Sequence, residues 1–186
     1  LRWIANVYDV SWRVLLPLSA ALEVIALAIF LYVVSGHRAE GKEETDQRWV
    51  MIVMAGTIGF VSALGMNLFQ CMRVALHGFS PAFPTDFDQR LLAVMAWGFM
   101  VPFVWGFSTK WLPVFLGLRT PRIRLILTGT ALNLIGVVLA IAGQIRTAAA
   151  IWTVAAVVVV LGLKIFVAPA RAAKTKGIHS SFPVFV

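Results

Sequence analysis

Five apolar runs dominate the chain, each long enough to cross roughly 30 Å of hydrocarbon at about 1.5 Å of helical rise per residue. They cover approximately 14–35, 49–76, 89–111, 124–145 and 148–168, with polar connectors between them. Sixty per cent of the residues are apolar and 13% charged, with a mean hydropathy of +0.88, which leaves too little polar surface to coat a soluble globule of this length. In lipid every backbone polar group must be satisfied internally, and runs of this length do so as helices. The expectation is therefore an all-α, polytopic transmembrane bundle of five spans, forming a single membrane domain over residues 1–186.

Sixteen Lys and Arg stand against eight Asp and Glu, a net charge of +8. In a soluble protein such an excess raises the question of nucleic acid. Here the bases flank apolar blocks and build no compact face interleaved with aromatic residues, a placement that suits lipid headgroups and not a phosphate track. One cysteine supports neither a disulfide framework nor a thiolate metal site.

Basic residues also set an orientation. Arg38, Lys42 and Arg48, then Lys110, Arg119, Arg122 and Arg124, then Arg171, Lys174 and Lys176 fall on one side, twice as many as Arg2, Arg13, Arg73, Arg90 and Arg146 on the other. The positive-inside rule places connectors 36–48 and 110–124 and the C-terminal tail in the cytoplasm, and the His77–Asp88 loop outside. The fourth connector, around Gln144–Thr147, is short enough to make its flanking helices antiparallel neighbours. Trp12, Trp49, Trp111 and Trp152 fall near predicted span ends, where an amphipathic ring suits the headgroup region. Trp97 and Trp105 lie inside the third span near one helix face, with Pro102 between them as a kink.

Ionisable groups deep in a span are costly unless answered, so they mark the places to look for chemistry. Glu23 lies well inside the first span, too deep for a short side chain to reach water. Its partner is expected on the second span, where Asn67, Gln70, Arg73 and His77 recur at three- and four-residue steps. Arg73 could pair with Glu23 or snorkel to the interface, and His77 could cap the helix or ligate a haem iron or copper ion. In the outer loop, Thr85 or Asp86 is expected to cap the third span, while Phe79, Phe83 and Phe87 could anchor at the interface or form a lid. Gly129, Gly136 and Gly143, spaced by seven with Ala140 nearby, give the fourth span a small-residue face for a neighbouring helix or a flat cofactor. No phosphate loop, nucleophile elbow or HExxH occurs, which disfavours a conventional hydrolase or a nucleotide-driven pump.

The third span and its exit read Trp97, Gly98, Phe99, Met100, Val101, Pro102, Phe103, Val104, Trp105, Gly106, Phe107, Ser108, Thr109, Lys110, Trp111, Leu112, Pro113, Val114, Phe115. This stretch resembles the central region of the NnrS family, bacterial membrane proteins associated with the nitric-oxide response, in which a glycine-rich span leads into a basic-x-Pro-x-Phe type exit. Lys110 and Trp111 stand in place of the usual Gly-Arg. The tail Ser181–Val186 resembles the entry to a following span there, so the resemblance implies the middle of a longer protein in the bacterial cytoplasmic (inner) membrane. It also implies association with haem or copper, with no ligand carried over to a particular residue. On this reading Glu23, Arg73 and His77 are the candidate cofactor-binding residues: a buried carboxylate, its countercharge, and a ligand or hydrogen-bond donor. The rival expectation is a non-catalytic subunit of a respiratory or photosynthetic assembly that contacts lipids, pigments and other membrane subunits. A transporter, motivated by Glu23 and the Pro102 break, stands third.

Overall fold

The structure, a computed structural model, describes residues 11–36 and 48–167. The 37–47 connection with His37, and the tail from residue 168 with His179 and Ser181–Val186, lie outside the described residues. Six α-helices follow in order: α1 (Trp12–Gly36), α2 (Arg48–His77), α3 (Thr85–Ala93), α4 (Val101–Leu116), α5 (Ile123–Ile141) and α6 (Ile145–Leu163). A π-helical segment, Val94–Met100, joins α3 to α4, so Thr85–Leu116 is one continuous span. Five helices are thus long and apolar enough to cross a membrane, and the protein is an all-α, multi-pass helical bundle. Among the described residues there is no strand.

The third span is longer at both ends than its apolar run. Its start lies in the polar turn Thr85–Asp88, where Asp86 and Asp88 favour a helix N-terminus. The cap residue is Pro84 and not Thr85 or Asp86: its carbonyl accepts from the Phe87 and Asp88 N–H groups at 3.0 Å each. At the far end Gly117 adopts φ +61° and the Leu118 N–H reaches back to the Pro113 carbonyl at 3.1 Å, a left-handed cap that stops the helix. The fourth connector also lies earlier than expected. Gly143 at φ +86° closes α5, with Gln144 N–H donating to the Leu139 carbonyl and Gly143 N–H to that of Ala140, and α6 starts at Ile145. Arg90 docks over this turn and donates from Nη1 to the Ile141 carbonyl at 3.4 Å, placing a cation at the negative end of α5.

Helix α2 runs through the middle of the bundle, with α1 antiparallel on one side and the third span on the other; α5 and α6 pack as a hairpin against the third span. Three buried clusters stack along the membrane normal. Trp12, Leu16 and Ala20 of α1 meet Cys71 and Val74 of α2 at one end. Ala63, Val94, Val137, Ala140, Ala148 and Trp152 fill the middle, and Ile52, Ile126, Val159 and Leu163 fill the other end. Trp97 and Trp105 both turn toward the α5–α6 hairpin, one against the middle cluster and one against the far cluster. The outside is apolar: Leu18, Leu22, Ile25 and Ile29 of α1 are about half exposed, as lipid-facing residues should be.

Close approach of backbones, and not bulky side chains, brings α2 against the third span. A Cβ on Gly59 would lie 1.9 Å from the Gly98 carbonyl oxygen, and one on Gly56 would lie 3.1 Å from that of Phe99. Such small-residue contacts let helices gain dispersion energy where lipid supplies no hydrophobic drive. The small face of α5 is used in the same way. Gly129 meets Val159 and Ala155, and Gly136 admits the indole of Trp152, so α6 covers these two glycines, whereas Gly143 lies beyond α5 in the turn, against Arg90. Trp152 is therefore no interfacial anchor: it is 4% exposed, it stacks on Trp97 with centroids 4.9 Å apart and planes at 4°, and its Nε1 donates to the Asn133 carbonyl at 3.2 Å.

Pro102 acts through the π segment. The Val101 N–H bonds the Ala96 carbonyl, five residues back, and Pro102 has no N–H, so the helix offers the Trp97 carbonyl no donor. Asn133 supplies it from α5, with Nδ2 donating to the Trp97 oxygen at 2.7 Å. Hydroxyls elsewhere in the spans return to their own helix: Thr57, Thr109 and Thr130 each donate to the carbonyl four residues back.

Two outcomes follow for thermal unfolding in detergent. Gly59→Ala should lose about 1–3 kcal/mol through overpacking against the Gly98 backbone, whereas Gly65→Ala, which meets nothing within 4 Å, should be neutral or stabilising. Asn133→Ala should cost about 1–2 kcal/mol, and measurably less in a Pro102→Ala background, where the third span regains a donor of its own; equal costs in both backgrounds would refute the capping role.

Candidate functional site

The polar interior of the α1–α2 pair begins with a facing pattern. Trp12, Leu16, Ala20 and Glu23 succeed one another at steps of four, four and three, so Glu23 lies on the face that α1 turns to α2. On α2 the matching face carries Asn67, Gln70, Cys71 and Val74, all buried. The Asn67 Nδ2 donates to Glu23 Oε2 at 2.9 Å, and Cys71 Sγ contacts Asn67 Oδ1 at 3.8 Å as its donor. Asn67 is 4% exposed, Gln70 2% and Cys71 0%, so the amide that receives the carboxylate is itself held in place by packing. Glu23 lies about 16 Å along α1 from Trp12, and Asn67 about 15 Å along α2 from His77, which puts the pair near the middle of the bilayer.

This pair lines a cavity of about 730 Å³ between α1, α2 and the third span. Its walls are otherwise apolar: Leu27 and Phe30 of α1, Phe60 and Leu64 of α2, and Met95 and Phe99 of the π segment contribute. Phe60 and Phe99 stack at 4.4 Å, closing the floor with aromatic surface. Thr57 also lines the cavity, but its hydroxyl is spent on the Val53 carbonyl at 3.2 Å. Glu23 and Asn67 are thus the side chains with which the cavity can recognise a polar group. The volume falls within the range of about 300–1,000 Å³ usual for small-molecule sites.

The three residues singled out from sequence separate here. Glu23 lines the cavity, whereas Arg73 and His77 are both exposed and line none of the cavities described. Among the described residues no ion pair joins Glu23 to Arg73; Asn67 is the partner the structure gives the carboxylate on α2. The reason is angular. Two successive three-residue steps each fall about 60° short of a turn, so Arg73 stands roughly 120° round α2 from Asn67 and leaves the face that α1 covers. No group of three His, Cys, Asp or Glu side chains that could hold a metal ion occurs among the described residues. At the connection between α2 and α3, Phe83 packs on the Trp12–Cys71 cluster and meets Phe87 edge-on at 5.9 Å, while Phe79 is fully exposed.

Sequence reasoning missed the second polar centre, Asn133 with Trp97 and Trp152. Its signal was present in the pairing of a mid-span proline with a mid-span asparagine on a glycine-faced helix. Asn133 is fully buried, and with Nδ2 facing the Trp97 carbonyl its Oδ1 has no hydrogen-bond partner among the described residues.

The hydrogen bond at the centre of the site is testable without a ligand. Glu23→Gln keeps an oxygen for Asn67 Nδ2 and should leave unfolding in detergent nearly unchanged, whereas Asn67→Leu leaves Glu23 without its amide donor and should lose about 1–3 kcal/mol. Comparison of the chain with family models, with curated proteins and with solved structures returns no match.

Proposed function

We propose that this chain is an integral protein of the bacterial cytoplasmic membrane that takes up a lipophilic molecule from within the bilayer, with connectors 36–48 and 110–124 and the tail on the cytoplasmic side. The ligand is an apolar body that fills the aromatic cavity and carries a hydrogen-bond-donating head, an amine or amide, which Glu23 and Asn67 receive. One observation carries this reading: a carboxylate near mid-bilayer, on a bond to a buried amide, lining a cavity of about 730 Å³ whose remaining wall is apolar. An acidic group is costly there, and intramembrane ionisable residues are functional candidates by default.

The resemblance of the third span to the NnrS family supports a role for this binding in the nitric-oxide response, with haem or copper as the group associated with that family. Among the described residues His77 is exposed at the end of α2, away from the cavity, which is lined by no histidine or cysteine. The binding reading therefore passes through Glu23 and Asn67 alone, and haem or copper enters no step of it.

A pyrene-labelled alkylamine, titrated by fluorescence anisotropy against the full chain in dodecyl maltoside, tests the reading. Loss of one hydrogen bond to a charged group should weaken binding about tenfold or more in Glu23→Gln and in Asn67→Ala, with Arg73→Ala and His77→Ala unchanged. Wild-type affinity in both cavity variants would remove the reading. A stoichiometric Soret band abolished by His77→Ala would instead place haem at the end of α2.

A further inference from the structure

At the opposite end of the bundle from the His77–Thr85 loop, the turn between α4 and α5 meets the end of α6 around a second kind of cavity. It measures about 390 Å³ and is lined by Arg119, Arg122, Leu125, Leu161, Lys164 and Val167. Three of the six lining side chains are cations. No Asp or Glu occurs anywhere in the sequence after Asp88, so no carboxylate from the third span's core, α5 or α6 neutralises them. Among the described residues no carboxylate lines this cavity, so its three bases repel one another at the membrane edge, and an anion relieves that repulsion.

The frame around these cations is fixed by the fold. The Arg122 N–H donates to the Gly162 carbonyl at 2.8 Å, clamping the turn to the end of α6. A Cβ on Gly162 would fall 2.8 Å from the Ile126 side chain and 3.3 Å from the Ile126 nitrogen, so the two helix ends approach closely. Lys164 stands in the left-handed region at φ 57°, ψ 33°, which is uncommon for a residue with a side chain, and its Nζ donates to the Thr120 carbonyl at 2.8 Å. The ammonium is thereby drawn across the turn to the wall opposite α6. Helix α5 opens into the same place; the Arg122 carbonyl accepts from the Leu125 and Ile126 N–H groups, and no side chain caps the helix, so its positive end faces the turn.

We propose that this cavity binds the phosphodiester of an anionic glycerolipid, with Arg119, Arg122 and Lys164 around the phosphate and the acyl chains lying along Leu161 and Val167. The apolar half of the lining decides for a lipid over a free phosphate ion. Leu161 is 61% exposed and Val167 40%, so a hydrocarbon track leads from the cationic rim onto the lipid-facing surface of α6. A soluble anion would have no use for that track, whereas basic pockets between transmembrane helices at a membrane edge suit anionic headgroups. This site shares no lining residue with the Glu23 cavity and does not depend on it.

Native mass spectrometry of the full chain in dodecyl maltoside, titrated with dioleoyl phosphatidylglycerol or dioleoyl phosphatidylcholine, reads the preference directly. The wild type should retain phosphatidylglycerol at least fivefold more tightly, and each of Arg119→Gln and Arg122→Gln should lower that preference by about fivefold. Arg124→Gln removes the same charge two residues on from Arg122, at a residue that lines no part of the cavity, and should leave the preference intact. Circular dichroism of each variant should match the wild type, and Lys164→Gly, which removes the ammonium while relieving the left-handed backbone, gives a third variant expected to fold. Equal retention of the two lipids by the wild type, or equal losses in the Arg122 and Arg124 variants, would overturn the site. Displacement of bound phosphatidylglycerol by an equal concentration of inorganic phosphate would overturn the lipid assignment.

Discussion

Hydrocarbon gives a polypeptide nothing to hydrogen-bond to, and that single constraint organises the bundle. Each span is a helix because its backbone must satisfy itself, and each departure from helical bonding has to be answered by a named group. Pro102 removes a donor in the middle of the third span, and Asn133 on another helix supplies one. Glu23 brings a carboxylate to mid-membrane, and Asn67 meets it. Threonines return their hydroxyls to their own helix, and Arg90 finds the free carbonyl at the end of α5. The polar groups in the core are therefore few and individually placed.

The same constraint explains how the helices choose partners. Apolar surface gains nothing by leaving lipid for protein, so contact is built where backbones can come close. Gly59 against Gly98 and Gly136 against Trp152 are the two closest cases, one joining α2 to the third span and the other closing the α5–α6 pair. The Glu23 cavity arises beside the first of these contacts. The helices meet tightly at the glycines, and α1 spans the remaining gap with Leu27 and Phe30.

Number, order and approximate limits of the spans were legible in the sequence, because twenty or so apolar residues admit one structure in lipid. Glu23 was legible for the same reason, as was the face of α5 that α6 covers. The partner of Glu23 was half legible: Asn67 belonged to the expected stripe, but two steps of three carry Arg73 off the face, the step of four to His77 recovers only part of the turn, and spacing alone did not reveal the drift. The π segment was not legible, since widening a helix depends on the coincidence of Pro102, a glycine crossing and an asparagine from a helix about thirty residues later. Trp152 misled for a related reason. Its position near a span end suggested the interface, and only the space left by Gly136 draws it inward. The cationic cavity was invisible as a site, because its members come from two helix ends that meet only in three dimensions.

The turn between α5 and α6 spans only Ala142, Gly143 and Gln144. Closing so short a loop costs little chain entropy, and the contacts it brings together are the most local of any two spans in the bundle. The arrangement favours entry of these two spans into the bilayer as a preformed unit, their glycine-and-indole seam already zipped. Asn133 stands on that unit, so the donor that answers the third span's widened turn is supplied by the pair of spans joined through a three-residue turn.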